Sequence, residues 1–468
     1  MSRIAHWDRV AIRFQRWAGL GGAYHRRLED IFRFVVPPGK RILELGCGNG
    51  DLLAALKPSV GVGVDFSGEM IAHAGRAHPH LTFATLDVDD LSSLDGPFDV
   101  IILSDLVGDL WDVQRVLANL QRLCTPQSRI VINCYNRLWE PVLLATQALG
   151  LSRPRLLQNW LTRADLVNML TLTDFEPVRM WEEVLLPLDI PLVAPFLNKV
   201  LVKLWPFKML ALSSFIMARP KPRDDARAAK PTVSVVVPAR NEAGNIASLL
   251  SRMPEMGGGT EVVFVEGHSS DGTYATIEQE IARAPQRRCT LARQAGVGKG
   301  DAVRLGFARA TGDVLMILDA DLTVPPEDLP RFYDALVSGK GDFINGVRLV
   351  YPMEQEAMRL ANLIANKFFS LAFSWLLGQP IKDTLCGTKV LWKSDYERIA
   401  AHRHYFGEVD PFGDFDLLFG AAKQGLKIVD LPIRYRDRTY GTTQIQRWKH
   451  GVLLLRMAIF ACRRIKFV

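Results

Sequence analysis

Asp319 and Asp321 stand one residue apart at the end of an apolar run, within Val314–Glu327, VLMILDADLTVPPE. The run has the character of a buried strand, and Pro325 and Pro326 bar a helix from starting before them. Two carboxylates this close repel each other unless a cation or a strong donor set lies between them. A divalent ion, Mg²⁺ or Mn²⁺, bound through oxygen and itself holding a diphosphate, meets that need. The plainer alternative is an edge strand that runs out into a solvated acidic turn.

A second constellation lies near the start of the chain. In RILELGCGNG, the strand Arg41–Leu45 runs straight into Gly46, Gly48 and Gly50, and a helix is expected over Leu52–Lys57. Glycines here let the backbone turn tightly and approach a ligand. The next strand, Val60–Val64, ends in Asp65, an acid placed about 20 positions on to suit the two hydroxyls of a ribose. The alternate GxGxG spacing differs from the GxGxxG of dinucleotide sites. Asp87, in TLDVDD, has two readings open to it, a ligand contact or a turn acid beside Asp89 and Asp90.

These groups need two scaffolds. At 468 residues the chain exceeds one ordinary core, so two domains are expected. The stretch Arg219–Pro231, RPKPRDDARAAKP, is charged and proline-punctuated and reads as a linker. Both flanking halves alternate strand and helix patterns, so both are expected to be α/β, without an internal repeat. The expected boundaries are 1–218, linker 219–231, 232–444, and a basic amphipathic helix over 445–468. No run of apolar residues is long enough to span a membrane, and MSRIAHWDRVAIRF has no signal-peptide core. The six cysteines are scattered, as expected of reduced thiols in a cytoplasmic setting.

Charge is uneven. Of the formal +7, the segment from Ile433 to Val468 alone carries nine basic residues against Asp437. That surplus calls for an anionic partner. Within it, Lys449, Arg456 and Arg463 repeat every seven residues beside an apolar face of Ile445, Trp448, Val452, Leu455 and Ile459. Such a helix either lies on an anionic membrane or packs on its own domain. The apolar segment Leu185–Ala218 leaves a similar choice, a crossover helix or a membrane-surface helix. No reading motif accompanies the basic tail, so nucleic acid is excluded as its partner.

LELGCGNG, GVDFSGEMI and Asp87 together resemble the class I S-adenosylmethionine-dependent methyltransferases, over roughly Trp7 to Arg219. The resemblance implies a Rossmann-like domain that takes S-adenosyl-L-methionine as cofactor. It places Glu44, Gly46, Gly48, Gly50, Asp65, Asp87 and Ser104 around that cofactor, with Asp65 on the ribose and Asp87 near the adenine. Asp105, Asp109 and Tyr135 are candidate bases for the methyl acceptor, which the sequence does not name.

From Thr232 onward, VSVVVPARNEAGNI, VVFVEGHSSDGT, DADLTVPPEDLP, NGVRLV, KDTLCGTKVLWK and LKIVDLPIRYRDRTYG follow in order. They resemble the family-2 inverting glycosyltransferases of the GT-A fold, above all the polyprenyl- and dolichyl-phosphate sugar synthases. By that resemblance Pro238, Ala239, Glu242, Glu266 and Lys299 line a nucleotide-sugar pocket. Asp319 and Asp321 hold the metal, and Arg348, Arg359 and Arg438 neutralise phosphates of donor and acceptor. Three departures stand out: Glu266-Gly267 in place of an acid pair, Thr323 where a glutamine is common, and YGTTQ in place of a serine-lysine pair. A lipid-phosphate acceptor is already anionic and needs no general base. A hydroxyl acceptor needs one, for which Asp414 and Asp416 are the candidates; their other role is to bond Arg434 or Arg438. The expected whole is a bifunctional transferase, peripheral at the inner face of the membrane. The alternatives are a soluble acceptor or one domain that only binds.

Overall fold

The computed structural model describes residues 3–12, 18–152, 156, 158–222, 230–348, 360–405, 413–436, 438, 440 and 455–468. They form two compact units, Met1–Lys221 with Lys466–Val468, and Pro222–Ile465.

The first unit is built on a seven-stranded sheet: β1 (Arg41–Leu45), β2 (Val60–Asp65), β3 (Thr82–Thr85), β4 (Phe98–Ser104), β5 (Cys124–Tyr135), β6 (Phe175–Glu183) and β7 (Ser213–Pro220). Their order is β3-β2-β1-β4-β5-β7-β6. The first five run parallel, while β7 lies antiparallel to both β5 and β6. Strand order reverses beside β1 and β4, so a crevice opens at their carboxyl ends, where open α/β sheets bind ligands. Ile42, Leu43 and Leu45 of β1 and Ile101, Ile102 and Leu103 of β4 are fully buried. Near-continuous apolar strands of this kind are what a sheet covered on both faces requires.

Leu185–Ala218 is not one helix. Short turns, Val193–Pro195, Phe196–Val200, Leu201–Lys203 and Phe207–Leu210, precede β7. Pro191, Pro195 and Pro206 interrupt the backbone ladder a long helix would need. The apolarity belongs largely to β7, where Phe215, Ile216 and Ala218 are fully buried. Lys203 is buried and paired with Glu183.

The second unit also has seven strands: β8 (Val233–Ala239), β9 (Thr260–Glu266), β10 (Arg288–Arg293), β11 (Val314–Ile317), β12 (Phe343–Val347), β13 (Lys389–Trp392) and β14 (Ile428–Pro432). The order β10-β9-β8-β11-β13-β12-β14 again reverses, now beside β8 and β11. β13 runs antiparallel to β11 and β12, and the other pairs are parallel. Both units are thus α/β, the first Rossmann-like and the second of GT-A type. No helix among the described residues is long and apolar enough to cross a membrane. No disulfide links the six cysteines. Of the expected tail helix, Ile445, Trp448, Lys449 and Val452 lie outside the described residues. Residues 455–461 are helical, with Leu455 and Ile459 about half exposed.

Candidate functional sites

In the first unit the turn after β1 puts Gly46, Gly48 and Gly50 at φ 67°, 52° and 76°, the left-handed region that costs a side chain energy. A Cβ on Gly46 would lie 2.6 Å from the Leu106 side chain, whereas nothing lies within 4 Å of one on Gly48. The first glycine lets the turn pack against Leu106, just past β4. The second leaves an open cradle on the crevice side. Asp65, at the end of β2, ties the turn down: it accepts the Gly48 N–H at 3.1 Å and the Ser67 N–H at 2.9 Å. Burial raises its pKa against those two bonds.

Glu44 sits beneath the turn and is 3% exposed. Burial pushes its carboxyl up to about 8, despite a bond from the Leu53 backbone and with Asp65 and Asp51 adding repulsion. Its Oε2 has no hydrogen-bond partner among the described residues. Asp87 is exposed and accepts the Asp89 N–H at 3.1 Å, so it makes the turn. Ser104 ends β4 in register with Asn133.

Sequence pattern leaves Asp105 level with Asp109 and Tyr135 as a candidate base, and the geometry separates it from them. Asp105 has φ 52°, a strain that non-glycine residues bear at functional sites. The Tyr24 hydroxyl lies 3.0 Å from both its oxygens, and the Asn133 amide donates to Oδ1 at 2.7 Å. Tyr24 also bonds Ser213 at 2.9 Å and stacks on Tyr135 with centroids 5.8 Å apart. Burial, then the Asp105 charge, raises the Tyr24 pKa well above 10. The phenol therefore stays protonated and holds the carboxylate in place. Nothing in the sequence pattern joins Tyr24 to Asp105, 81 positions on.

In the second unit, Leu318 and Ala320 point into the core, 0% and 2% exposed, while Asp319 and Asp321 turn outward. That is the alternation of an extended segment leaving a sheet. Lys299, first residue of the helix Lys299–Arg309, contacts Asp319 at 2.6 Å. Burial opposes its charge, but Asp319 and then Asp414 raise its pKa overall, so it stays cationic. Gly387 makes room for this pair, since a Cβ there would lie 2.1 Å from Asp319 Oδ2.

Asp321 accepts from the Thr323 backbone at 3.1 Å and hydroxyl at 2.7 Å, and pairs with Arg438 at 2.7 Å. Arg438 also reaches Glu242 at 3.1 Å. Burial raises the Glu242 carboxyl to about 6, against Arg438 and Asn245. Thr323 thus braces Asp321 through the side chain that stands where a glutamine was expected. Ala239 ends β8 in the core, with Pro238 half-buried beside it. Glu266 is buried, accepts the Ser269 N–H at 2.5 Å, and lies 3.4 Å from Arg293.

Arg348 is gripped by Asp383 through Nε at 2.7 Å and Nη2 at 2.9 Å, with its guanidinium 5.3 Å from the Tyr435 ring. Arg359 lies outside the described residues. Asp414 is 4% exposed; burial raises its pKa, against Lys299 and Lys389. Its Oδ1 lies 3.8 Å from Lys389 Nζ and has no hydrogen-bond partner among the described residues. Asp416, 7% exposed, pairs with Arg403 at 2.7 Å. Sequence reading missed Asp383, Lys389, Tyr435 and Gly387, although all but Tyr435 lie in the run KDTLCGTKV.

No described group of three His, Cys, Asp or Glu side chains is arranged to hold a metal ion unaided. Two carboxylates from one strand end still fit Mg²⁺, which is commonly held by one or two carboxylates plus substrate phosphates. Gly48 and Asp65 likewise fit a nucleoside-bearing cofactor, through the open cradle and the fixed carboxylate.

Residues 234–399 match the family described as glycosyl transferase family 2, and residues 17–179 match a methyltransferase domain. The chain is 30% identical over 231 residues to a dolichyl-phosphate hexose transferase of Haloferax volcanii, covering 49% of this chain and 93% of that protein. It is 29% identical over 220 residues to a dolichol-phosphate mannosyltransferase of Pyrococcus furiosus, covering 46% of this chain but only 59% of that protein. The first unit is similar to an S-adenosylmethionine-dependent methyltransferase structure from Mesorhizobium loti, at 21% identity and a TM-score of 0.33, covering 43% of this chain and all of that one.

Proposed function

Since this chain belongs to glycosyl transferase family 2 and carries a methyltransferase domain ahead of that part, we propose a two-activity enzyme. The second unit transfers a sugar from a nucleoside diphosphate sugar to a polyprenyl phosphate or related lipid phosphate. The first methylates an acceptor with S-adenosyl-L-methionine.

The observation that carries the sugar-transfer reading is the set of alternating charges at the end of β11, Lys299–Asp319 and Glu242–Arg438–Asp321. Bound there, a divalent ion supplies charge stabilisation for the departing diphosphate. Asp319 and Asp321 would hold it. Lys299 and Arg438, paired with those two acids, would share the diphosphate charge as it grows. An acceptor phosphate oxygen bonds to the anomeric carbon from the face opposite the leaving diphosphate, and the carbon–oxygen bond to that diphosphate breaks.

The buried state of both candidate bases favours a phosphate acceptor. Asp414 and Asp416 are 4% and 7% exposed, and each faces basic side chains. An acceptor already ionised near a pKa of ~6 needs neither. The relatives named dolichol-phosphate mannosyltransferase and dolichyl-phosphate hexose transferase support this choice. In the first unit, Asp105 is the group best placed to take the proton from a methyl acceptor, with Tyr24 and Asn133 positioning it. The test is to incubate the protein with radiolabelled nucleotide sugars, a polyprenyl phosphate and Mg²⁺. Label is expected in the organic-extractable product. Label that moves only to soluble hydroxyl acceptors would contradict the lipid reading.

A further inference from the structure

On the second unit lies a cavity of about 440 Å³ whose lining includes Arg252, Arg331, Arg434 and Arg436 with Glu327 and Asp328. None of these six residues has a part in the transfer described above. We propose that this cavity docks the phosphodiester headgroup of an anionic phospholipid and so seats the unit on a membrane surface. The proposal rests on the lipid-acceptor reading only for its biological sense; its physical basis is separate.

The two acids pre-set two of the guanidiniums. Arg252 grips Glu327 through Nε at 2.7 Å and Nη2 at 2.8 Å. Arg331 lies 3.6 Å from Asp328 and donates to the Pro432 carbonyl at 3.3 Å. Four guanidiniums against two carboxylates leave the lining with a formal surplus of two positive charges. Guanidinium forks match phosphate oxygens in pairs, and arginines are weakly hydrated enough to exchange water for phosphate. Arg434 and Arg436 are both exposed.

The position is as informative as the charge. Arg434 and Arg436 flank Tyr435, whose ring lies 5.3 Å from the Arg348 guanidinium. The Arg436 N–H donates to the Thr323 carbonyl at 3.0 Å. Arg434 and Arg436 line the cavity, whereas Tyr435 between them lies beside Arg348. Through Thr323, which Arg436 and Asp321 both contact, the cavity adjoins the segment that carries the diphosphate site. Both arginines also begin the segment from Ile433 to Val468, whose nine basic residues face a single acid.

The test is co-sedimentation of the full chain with phosphatidylcholine vesicles, with and without phosphatidylglycerol, read without any turnover. The parent is expected to partition onto the anionic vesicles only, and less so as salt rises. Arg434→Gln with Arg436→Gln is expected to lower that partition about 30-fold, from roughly 1 kcal/mol for each basic residue at the surface. Arg434→Lys with Arg436→Lys, which keeps the charge, should retain most of it and guards against a misfolded glutamine variant. Equal partition of parent and glutamine variant would overturn the proposal and assign binding to the rest of the basic tail. Equal binding to neutral vesicles, or binding of glycerol phosphate in solution without vesicle binding, would overturn it too. Failure of the parent to label a polyprenyl phosphate in the separate transfer assay, with vesicle binding intact, would instead count against the lipid-acceptor reading alone.

Discussion

Glu44→Gln should make the first unit more stable at alkaline pH and change the shape of its pH profile. In the parent the carboxyl titrates at about 8 because burial penalises its charge, against an ordinary value of 4.5. A carboxyl with a raised folded-state pKa binds more protons folded than unfolded. Its neutral form therefore supports the fold below pH 4.5, and that support is lost as pH rises from 4.5 through 8. The gap corresponds, at about 1.36 kcal/mol per pH unit, to roughly 5 kcal/mol. Relaxation and water entry will reduce that figure, so a change of about 2–5 kcal/mol is the useful range. Glutamine keeps the shape but has no charge to bury. Chemical denaturation of parent and variant, repeated from about pH 5 to about pH 9, gives the difference in stability at each pH. The difference should swing toward the variant across that range and level off above pH 8. A difference independent of pH would refute the claim that Glu44 is buried without a compensating charge.

Other substitutions separate support from contact. Gly48→Ala should cost only about 1–2 kcal/mol, the usual penalty for a left-handed side chain, because the space beside it is open. It should weaken S-adenosylmethionine binding at least tenfold by calorimetry, and unchanged affinity would mean the cradle faces no ligand. Arg348→Ala strands the Asp383 carboxylate, 2% exposed, and should cost about 3–5 kcal/mol in denaturant unfolding; a neutral result would mean the pair is not formed in solution. Tyr24→Phe removes the donor to Asp105 and should shift the pH profile of methyl transfer while leaving cofactor affinity within about twofold. Loss of cofactor binding instead would place Tyr24 in the cofactor site.

Much of both sites was legible because their side chains sit at strand ends. An apolar run that stops at an acid or a glycine marks the carboxyl edge of a parallel strand, and this located Gly46, Asp65, Glu266, Asp319 and Asp321. What strand ends do not reveal is which distant partner completes each group. Lys389 is fully buried and donates to Asn345 and the Cys386 carbonyl, partners that no spacing announces. Asp416 was paired in prospect with Arg434 or Arg438 and bonds Arg403, on a segment with no periodicity to announce it. Apolar content also misled over Leu185–Ala218, where prolines break the helix and the buried residues belong to a strand. The resemblance implies a phosphate contact for Arg348, and no spacing points to Asp383, 35 residues on, which pairs with it.

The most direct test of the diphosphate site is the affinity of a nucleoside diphosphate for the full chain with and without Mg²⁺ or Mn²⁺, in the parent and in Asp321→Asn. The expected result is that the ion tightens binding in the parent by tenfold or more and has little effect in the variant. Equal dependence on the ion in both proteins would contradict a metal site at Asp319 and Asp321.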